Sequence, residues 1–148
     1  MFTLKNIISV LKTNQKPLKE LKYLLDKYNS NDWEKYQKFS KMNYERNLIF
    51  RDKNYEIFLI CWDYNQFSPI HNHADNGCLY KVIQGQLSEF KYDVNTLSLI
   101  ESSNLNKNFV SYIDNDIAYH KIGNDLKEKA MSIHIYSPPD FTGINFKK

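Results

Sequence analysis

A chain of 148 residues and 17.7 kDa, 42% hydrophobic and 15% aromatic, has the length and apolar content of one domain with a sizeable core, which excludes disorder. Twenty basic against 17 acidic residues leave a formal charge of +3 with no basic run, which argues against nucleic acid or an anionic membrane as a partner. Two cysteines do not make a disulfide framework, and no stretch approaches the ~20 apolar residues of a membrane span. Met1 to Lys16 lacks a continuous signal-peptide core. The expected compartment is the cytoplasm.

The first forty residues carry helical periodicity. Leu4, Ile7, Ile8 and Leu11 fall on one helix face. Pro17 suits the first turn of a second helix bearing Leu18, Leu21, Leu24, Leu25 and Tyr28. Asn31-Asp32 is placed to cap a third, short helix holding Trp33 and Tyr36. Such apolar stripes pack against a sheet.

After Met42 the texture changes to short runs rich in Ile, Leu, Tyr, Phe and Val. Strands are expected at Tyr44–Phe50, Tyr55–Trp62, Cys78–Gln84, Gln86–Tyr92, Leu97–Ser102, Phe109–Ile113, Ile117–Ile122 and Ala130–Tyr136. Asp52-Lys53-Asn54 and Gln84-Gly85 look like hairpin connections. Many short strands after a helical preface predict a mainly β fold, a sandwich or small barrel with helices on one side. There is no repeat, linker or low-complexity block, so residues 1–148 are expected to form a single domain, with a helical layer over 1–40 and a barrel over 44–141.

All four histidines, His71, His73, His120 and His134, lie in the strand region. In an extended segment the residues of His71-Asn72-His73 at i and i+2 point to one face, so two imidazoles converge. Imidazole is the usual nitrogen ligand of Zn, Fe, Cu and Ni, and His120 is positioned to supply a third. An H-x-H pair alone is a weak signal, since two surface histidines match it equally well. The frame around it is more specific: Cys78 lies five residues past His73, Gly85 seven further on, and later comes His120-Lys-Ile-Gly-Asn124.

H-x-H, a ligand position five residues on, a glycine and a later H-x-x-x-N resemble the two cupin motifs, with Cys78 where most cupins carry a glutamate ligand. More closely, the chain resembles the cysteine dioxygenase family. The resemblance runs from Tyr44-x-Arg46-Asn47-Leu48 through Cys61-Trp62, the His71–Cys78 stretch and Lys81 to Gly85-Gln86-Leu87, ending in Ser132-x-His134-x-Tyr136-Ser137-Pro138-Pro139. It covers about two-thirds of the chain, in order.

The resemblance implies a cupin-type small β-barrel or jelly roll holding one Fe(II) per chain on His71, His73 and His120. The implied reaction is oxidation of L-cysteine by dioxygen to cysteine sulfinic acid. Arg46 would bind the substrate carboxylate, for which a planar guanidinium fork suits better than Lys. It stands out because only Arg46 and Arg51 are Arg among 20 basic residues. Relatives that prefer 3-mercaptopropionate carry Gln at this position, so Arg46 favours cysteine. Tyr44, on the same strand face, would shape the pocket. Cys78 and Tyr136 match the pair joined by a thioether cross-link beside the iron in the eukaryotic type. His134 matches the histidine that orients the tyrosine hydroxyl, and the Ser137-Pro138 bond is expected to be cis.

A dioxygenase for 3-mercaptopropionate or another small thiol is the rival within the class. A non-catalytic metal-binding cupin and a zinc hydrolase are rivals outside it, the latter lacking a clear general base. The expected partners are small molecules, with no nucleic acid or membrane, and the chain is expected to be a monomer. It departs from the family in ending at Lys148, soon after Phe141, without the C-terminal strands of longer members, so more open access to the pocket is expected.

Overall fold

The computed structural model describes residues 1–14 and 16–147, so Lys148, the end of the expected domain, and Gln15 lie outside the described residues. Three neighbouring antiparallel strands organise the rest. They are β2 (Glu56–Trp62), β5 (Cys78–Gln84) and β10 (Ala130–Tyr136), hydrogen-bonded in the order β2-β10-β5, and nearly all their residues are buried.

Side chains alternate across these strands, and each face has its own core. Ile57, Leu59, Cys61, Leu79, Ile133 and Ile135 face the helical layer, where they meet Leu4, Ile7, Leu11, Leu21, Leu24 and Leu25. Phe58, Ile60, Trp62, Tyr80, Val82 and Ala130 face the interior, toward Leu87, Leu105 and Ile122 of the other sheet. Burial on both faces is why β2 reads as an unbroken apolar run rather than an alternating one.

The first sheet is completed by β1 (Glu45–Arg51) beside β2 and β8 (Val110–Ile113) beside β5. The second has the order β11-β4-β9-β6-β7. It is made of β4 (Ile70–His71), β6 (Leu87–Tyr92), β7 (Leu99–Leu105), β9 (Tyr119–Asn124) and β11 (Asn145–Phe146), with β3 (Gln66–Phe67) also on β9. Two antiparallel sheets face each other as in a jelly roll, and helices cover one of them.

Several expectations change in detail. Gln84-Gly85 is not a hairpin, because β5 and β6 belong to different sheets and the chain turns a corner between them. Gly85 makes that corner at φ +76°, where an added Cβ would lie 2.7 Å from the Lys129 carbonyl oxygen. The strand expected from Leu97 starts at Leu99, since Leu97 sits in a turn at φ +58°. The strand expected from Ile117 starts at Tyr119, because Ile117 and Ala118 donate their N–H groups back to the Asp114 carbonyl. β3, β4 and β11 were not expected at all; at two residues each they show no periodicity.

In the helical layer, α1 (Leu4–Thr13) is closed by a capping box between Thr3 and Asn6. The second helix opens as a 3-10 turn, Leu18–Leu21, before α2 (Lys22–Lys27), and the third is only a 3-10 turn, Glu34–Tyr36, without a side-chain cap. Asp32 caps α1 instead, accepting the Leu4 N–H at 2.9 Å. Among the described residues no helix is long and apolar enough to cross a membrane.

Lys81 ties the two layers together. Its side chain points, like Leu79 and Ile83, toward the helical layer, and its ammonium donates to the carbonyls of Leu25 (2.9 Å) and Tyr28 (2.7 Å), at the end of α2. Lys81→Met is expected to lower the unfolding free energy by about 1–3 kcal/mol, because two buried carbonyls lose a charged donor. Urea denaturation followed by circular dichroism reads this, and an unchanged midpoint would contradict it.

Candidate metal centre and pocket

His71 on β4 and His120 on β9 are direct cross-strand partners. His73 follows past the end of β4, where Asn115 clamps it by accepting its backbone N–H at 2.8 Å and donating to its carbonyl at 3.0 Å. The three rings converge, with centroids 4.6, 4.7 and 5.5 Å apart and ligand atoms all within 4.8 Å of one another.

Each Nδ1 faces an acceptor outside the cluster. His71 meets the Pro69 carbonyl (2.8 Å), His73 the Asn115 Oδ1 (3.2 Å) and His120 the Glu89 carboxylate (2.8 Å). With a hydrogen on each Nδ1, all three Nε2 lone pairs point inward. Nε2 of His73 is buried without a hydrogen-bond partner among the described residues, and Nε2 of His71 and His120 approach to 3.0 Å. Two lone pairs at that distance repel unless a cation or a proton lies between them. Two imidazole nitrogens ~2.1 Å from a shared ion and ~90° apart are about 3 Å from each other, so the cluster fits a first-row metal. Burial pushes all three histidines below the ordinary imidazole range, His73 to about 2, so they stay neutral and ready to ligate.

A second limb runs along the inner face of β10. Trp62 Nε1–H donates to Ser132 Oγ at 2.9 Å, and the Ser132 hydroxyl donates to His134 Nε2 at 2.7 Å. The hydrogen of His134 is therefore on Nδ1, which lies 3.3 Å from the Tyr136 hydroxyl and 3.8 Å from Cys78 Sγ. Burial lowers His134 and raises Tyr136 and Cys78, so imidazole, phenol and thiol are all uncharged. Cys78, the first residue of β5, is the cross-strand partner of Tyr136, whereas Gly77 belongs to the preceding turn at φ +77°. The Ser137-Pro138 bond is cis.

Arg46 on β1 supplies the charge. Its guanidinium lies 4.3 Å from the Phe58 ring centroid and 5.4 Å from that of Tyr136, and among the described residues no carboxylate pairs with it. Arg51 is the contrast, paired with Glu56 at 2.9 Å and Asp140 at 3.3 Å. Tyr44 stacks on Trp62 at 4.7 Å, and both line the pocket with Arg46 and the histidine cluster.

The segment after Pro139 contributes to the pocket wall. Phe141, Gly143 and Asn145 line the same pocket. The tail returns because β11 pairs with β4, and Asn72 Oδ1, between two cluster histidines, accepts the Ile144 N–H at 2.7 Å.

Seven of the eight residues singled out from the sequence line one pocket, and the eighth, Cys78, is buried behind it as the cross-strand partner of Tyr136. Sequence reasoning missed Ser132, Asn115 and Glu89 as partners of the histidines. Ser132 was within reach, since 132, 134 and 136 share a strand face. Asn115 and Glu89 gave no signal, because they bond to histidines 42 and 31 residues away.

Solved structures described as double-stranded β-helix and cupin proteins share this architecture. The chain superposes on an uncharacterized conserved protein with a double-stranded β-helix domain from Klebsiella pneumoniae with a TM-score of 0.66, at 14% identity over 82% of this chain and 94% of that one. An RmlC-like cupin protein from Desulfovibrio desulfuricans gives a TM-score of 0.51, at 17% identity over 74% of this chain and 96% of that one. The fold is thus that of a cupin, and it surrounds a three-histidine cluster. The family model described as cysteine dioxygenase type I matches residues 2–148, and the chain belongs to that family. It is 32% identical to the cysteine dioxygenase type 1 of Danio rerio over 146 residues, covering 92% of this chain and 73% of that protein. It is 30% identical to that of Homo sapiens over 131 residues, covering 82% of this chain and 66% of that protein.

The buried histidines carry a pH signature. Their folded-state values are depressed, so the unfolded chain takes up more protons below its ordinary imidazole value of about 6.5, and stability falls as pH drops through that range. Glu89, raised by burial, acts in the opposite sense but is one group against four. The metal-free protein is expected to lose more than about 1 kcal/mol per pH unit between pH 6.5 and 5. Urea midpoints across that range measure it, and a flat profile would contradict neutral histidines.

Proposed function

We propose that the chain is a non-haem iron(II) thiol dioxygenase that converts L-cysteine and dioxygen to cysteine sulfinic acid. The observation that carries this proposal is an unpaired guanidinium sharing one pocket with three inward-facing imidazole lone pairs. His71, His73 and His120 would hold one Fe(II), which would supply the redox chemistry needed to transfer both atoms of dioxygen to the substrate sulfur.

The chain's own groups select and orient the substrate. Three neutral ligands bring no negative charge onto the metal directly, which favours a thiol arriving as its anion. Arg46 receives the carboxylate through two parallel N–H donors, held in place by the Phe58 and Tyr136 rings beneath it. Tyr44, braced on Trp62, forms a fixed wall beside it. Because His134 Nδ1–H is directed at the Tyr136 oxygen, the phenolic hydrogen is not spent on that nitrogen and is shared between Cys78 and the pocket, where it would meet the reacting groups. Holding both ends of a small amino acid in this way contributes catalysis through positioning.

The register that pairs Cys78 with Tyr136 supports a thioether cross-link between them. Both cysteines are free of disulfides, in keeping with the cytoplasm as the working compartment.

Oxygen uptake by iron-reconstituted protein, with L-cysteine, 3-mercaptopropionate and cysteamine compared, tests the proposal. L-cysteine is expected to be the substrate, with sulfinate seen by mass spectrometry and His120→Ala inactive. Arg46→Gln should raise KM for L-cysteine about 10–100-fold, the value of a charged, bidentate contact. No uptake with any thiol, despite bound iron, would leave a metal-binding cupin without this activity. For the cross-link, the intact mass after turnover should be lower by two hydrogens in the parent chain and unchanged in Cys78→Ser. A full mass in the parent would exclude the bond.

A further inference from the structure

We propose that Glu89, held by Tyr80, is a positioning residue that fixes His120 for metal binding and supplies, one hydrogen bond away, the negative charge that the histidine ligands lack. This rests on His71, His73 and His120 being the ligands.

The three outward Nδ1 contacts are not equivalent. His71 meets a backbone carbonyl and His73 a side-chain amide, both neutral, while His120 alone meets a carboxylate. Glu89 is 2% exposed, and a buried carboxylate is retained only where hydrogen bonds compensate its lost hydration. It has them: Oε2 accepts both the His120 Nδ1–H and the Tyr80 hydroxyl. Its other oxygen is 4.0 Å from Lys91 Nζ, too far for a hydrogen bond.

The sheet geometry explains the arrangement. β6 pairs with β9 so that Glu89 lies opposite Ile122, and His120 is its diagonal neighbour on the same face. Tyr80 comes from β5 in the opposite sheet, so its hydroxyl ties the Glu89–His120 pair across the interior. Its ring also stacks on His134 at 5.6 Å and 15°. One phenol therefore touches both limbs of the site.

A divalent ion on three neutral imidazoles keeps its whole charge. A carboxylate bonded to Nδ1–H makes the opposite nitrogen a stronger donor and holds the ring at a fixed angle, and such outer partners change metal affinity about 10–100-fold. Glu89→Gln keeps the size and an acceptor oxygen but removes the charge. Tyr80→Phe removes only the hydroxyl that steadies the carboxylate.

Co(II) titration of metal-stripped full-length protein, followed by visible absorption, is the test. It is accompanied by nitrogen-15 NMR of His120 in the Zn(II)-loaded form. The parent chain should bind one ion, Glu89→Gln should bind it about 10–100-fold more weakly, and Tyr80→Phe should fall between them. The His120 Nδ1–H resonance should move upfield in both variants, which a merely structural role would not produce. Parent-like affinity and an unmoved resonance in Glu89→Gln would overturn the inference. If Glu89→Gln fails to fold, the same two readouts in Tyr80→Phe decide it. Failure of the parent itself to bind metal would instead sink the three-histidine site on which the inference rests.

Discussion

The rest of the structure depends on β2, β10 and β5 being buried on both faces while their side chains alternate between two different tasks. Odd-numbered positions such as Ile57, Leu79 and Ile133 anchor the helical layer, and even-numbered ones such as Trp62, His134 and Tyr136 build the pocket, with Cys78 buried beside them. Slipping any of these strands by one residue would exchange the two sets, placing imidazole and phenol against leucines and aliphatic chains in the pocket. The helices therefore contribute to function indirectly. Without them the outer face would be exposed, and the register that aims the inner face would lose its energetic preference.

Polar groups on the inner face cannot stand alone in an interior that excludes water, and this accounts for the hydrogen-bonded chains around them. Trp62, Ser132, His134 and Tyr136 form one series, and Tyr80, Glu89 and His120 another. In both, the acceptor on one ring nitrogen decides what the other can do. The atoms left over are the informative ones: His73 Nε2 without a partner, and Arg46 without a carboxylate. Both line the same pocket, which therefore concentrates bonding capacity that the protein's own groups leave unmet.

Much of this was legible in the sequence where local pattern carries the information. The eight longer strands and the helical preface follow from hydrophobic period. The pairing of His71 with His73 follows from i, i+2 spacing, and Arg46 stood out because Lys dominates the basic residues. What stayed hidden is non-local. The two-residue strands β3, β4 and β11 exist only because β9 and β4 offer edges to pair with. Asp32 looked like the cap of its own helix but serves α1, twenty-eight residues earlier in the chain. Gln84-Gly85 has hairpin chemistry yet turns between sheets, since a glycine at positive φ serves a corner as well as a hairpin.

The short strand β11 also closes the second sheet. β4 would otherwise present unpaired N–H and C=O groups beside His71, an edge on which another extended chain could add itself. Residues 145 and 146 occupy that edge, and Phe146 stacks on Tyr119 at 4.5 Å to keep them there. Asn145 of the same strand lines the pocket, so the pairing that satisfies β4 and the shape of the pocket wall are mechanically linked. Moving residues 145 and 146 off β4 would therefore reshape the pocket wall and strip β4 of its partner at the same moment.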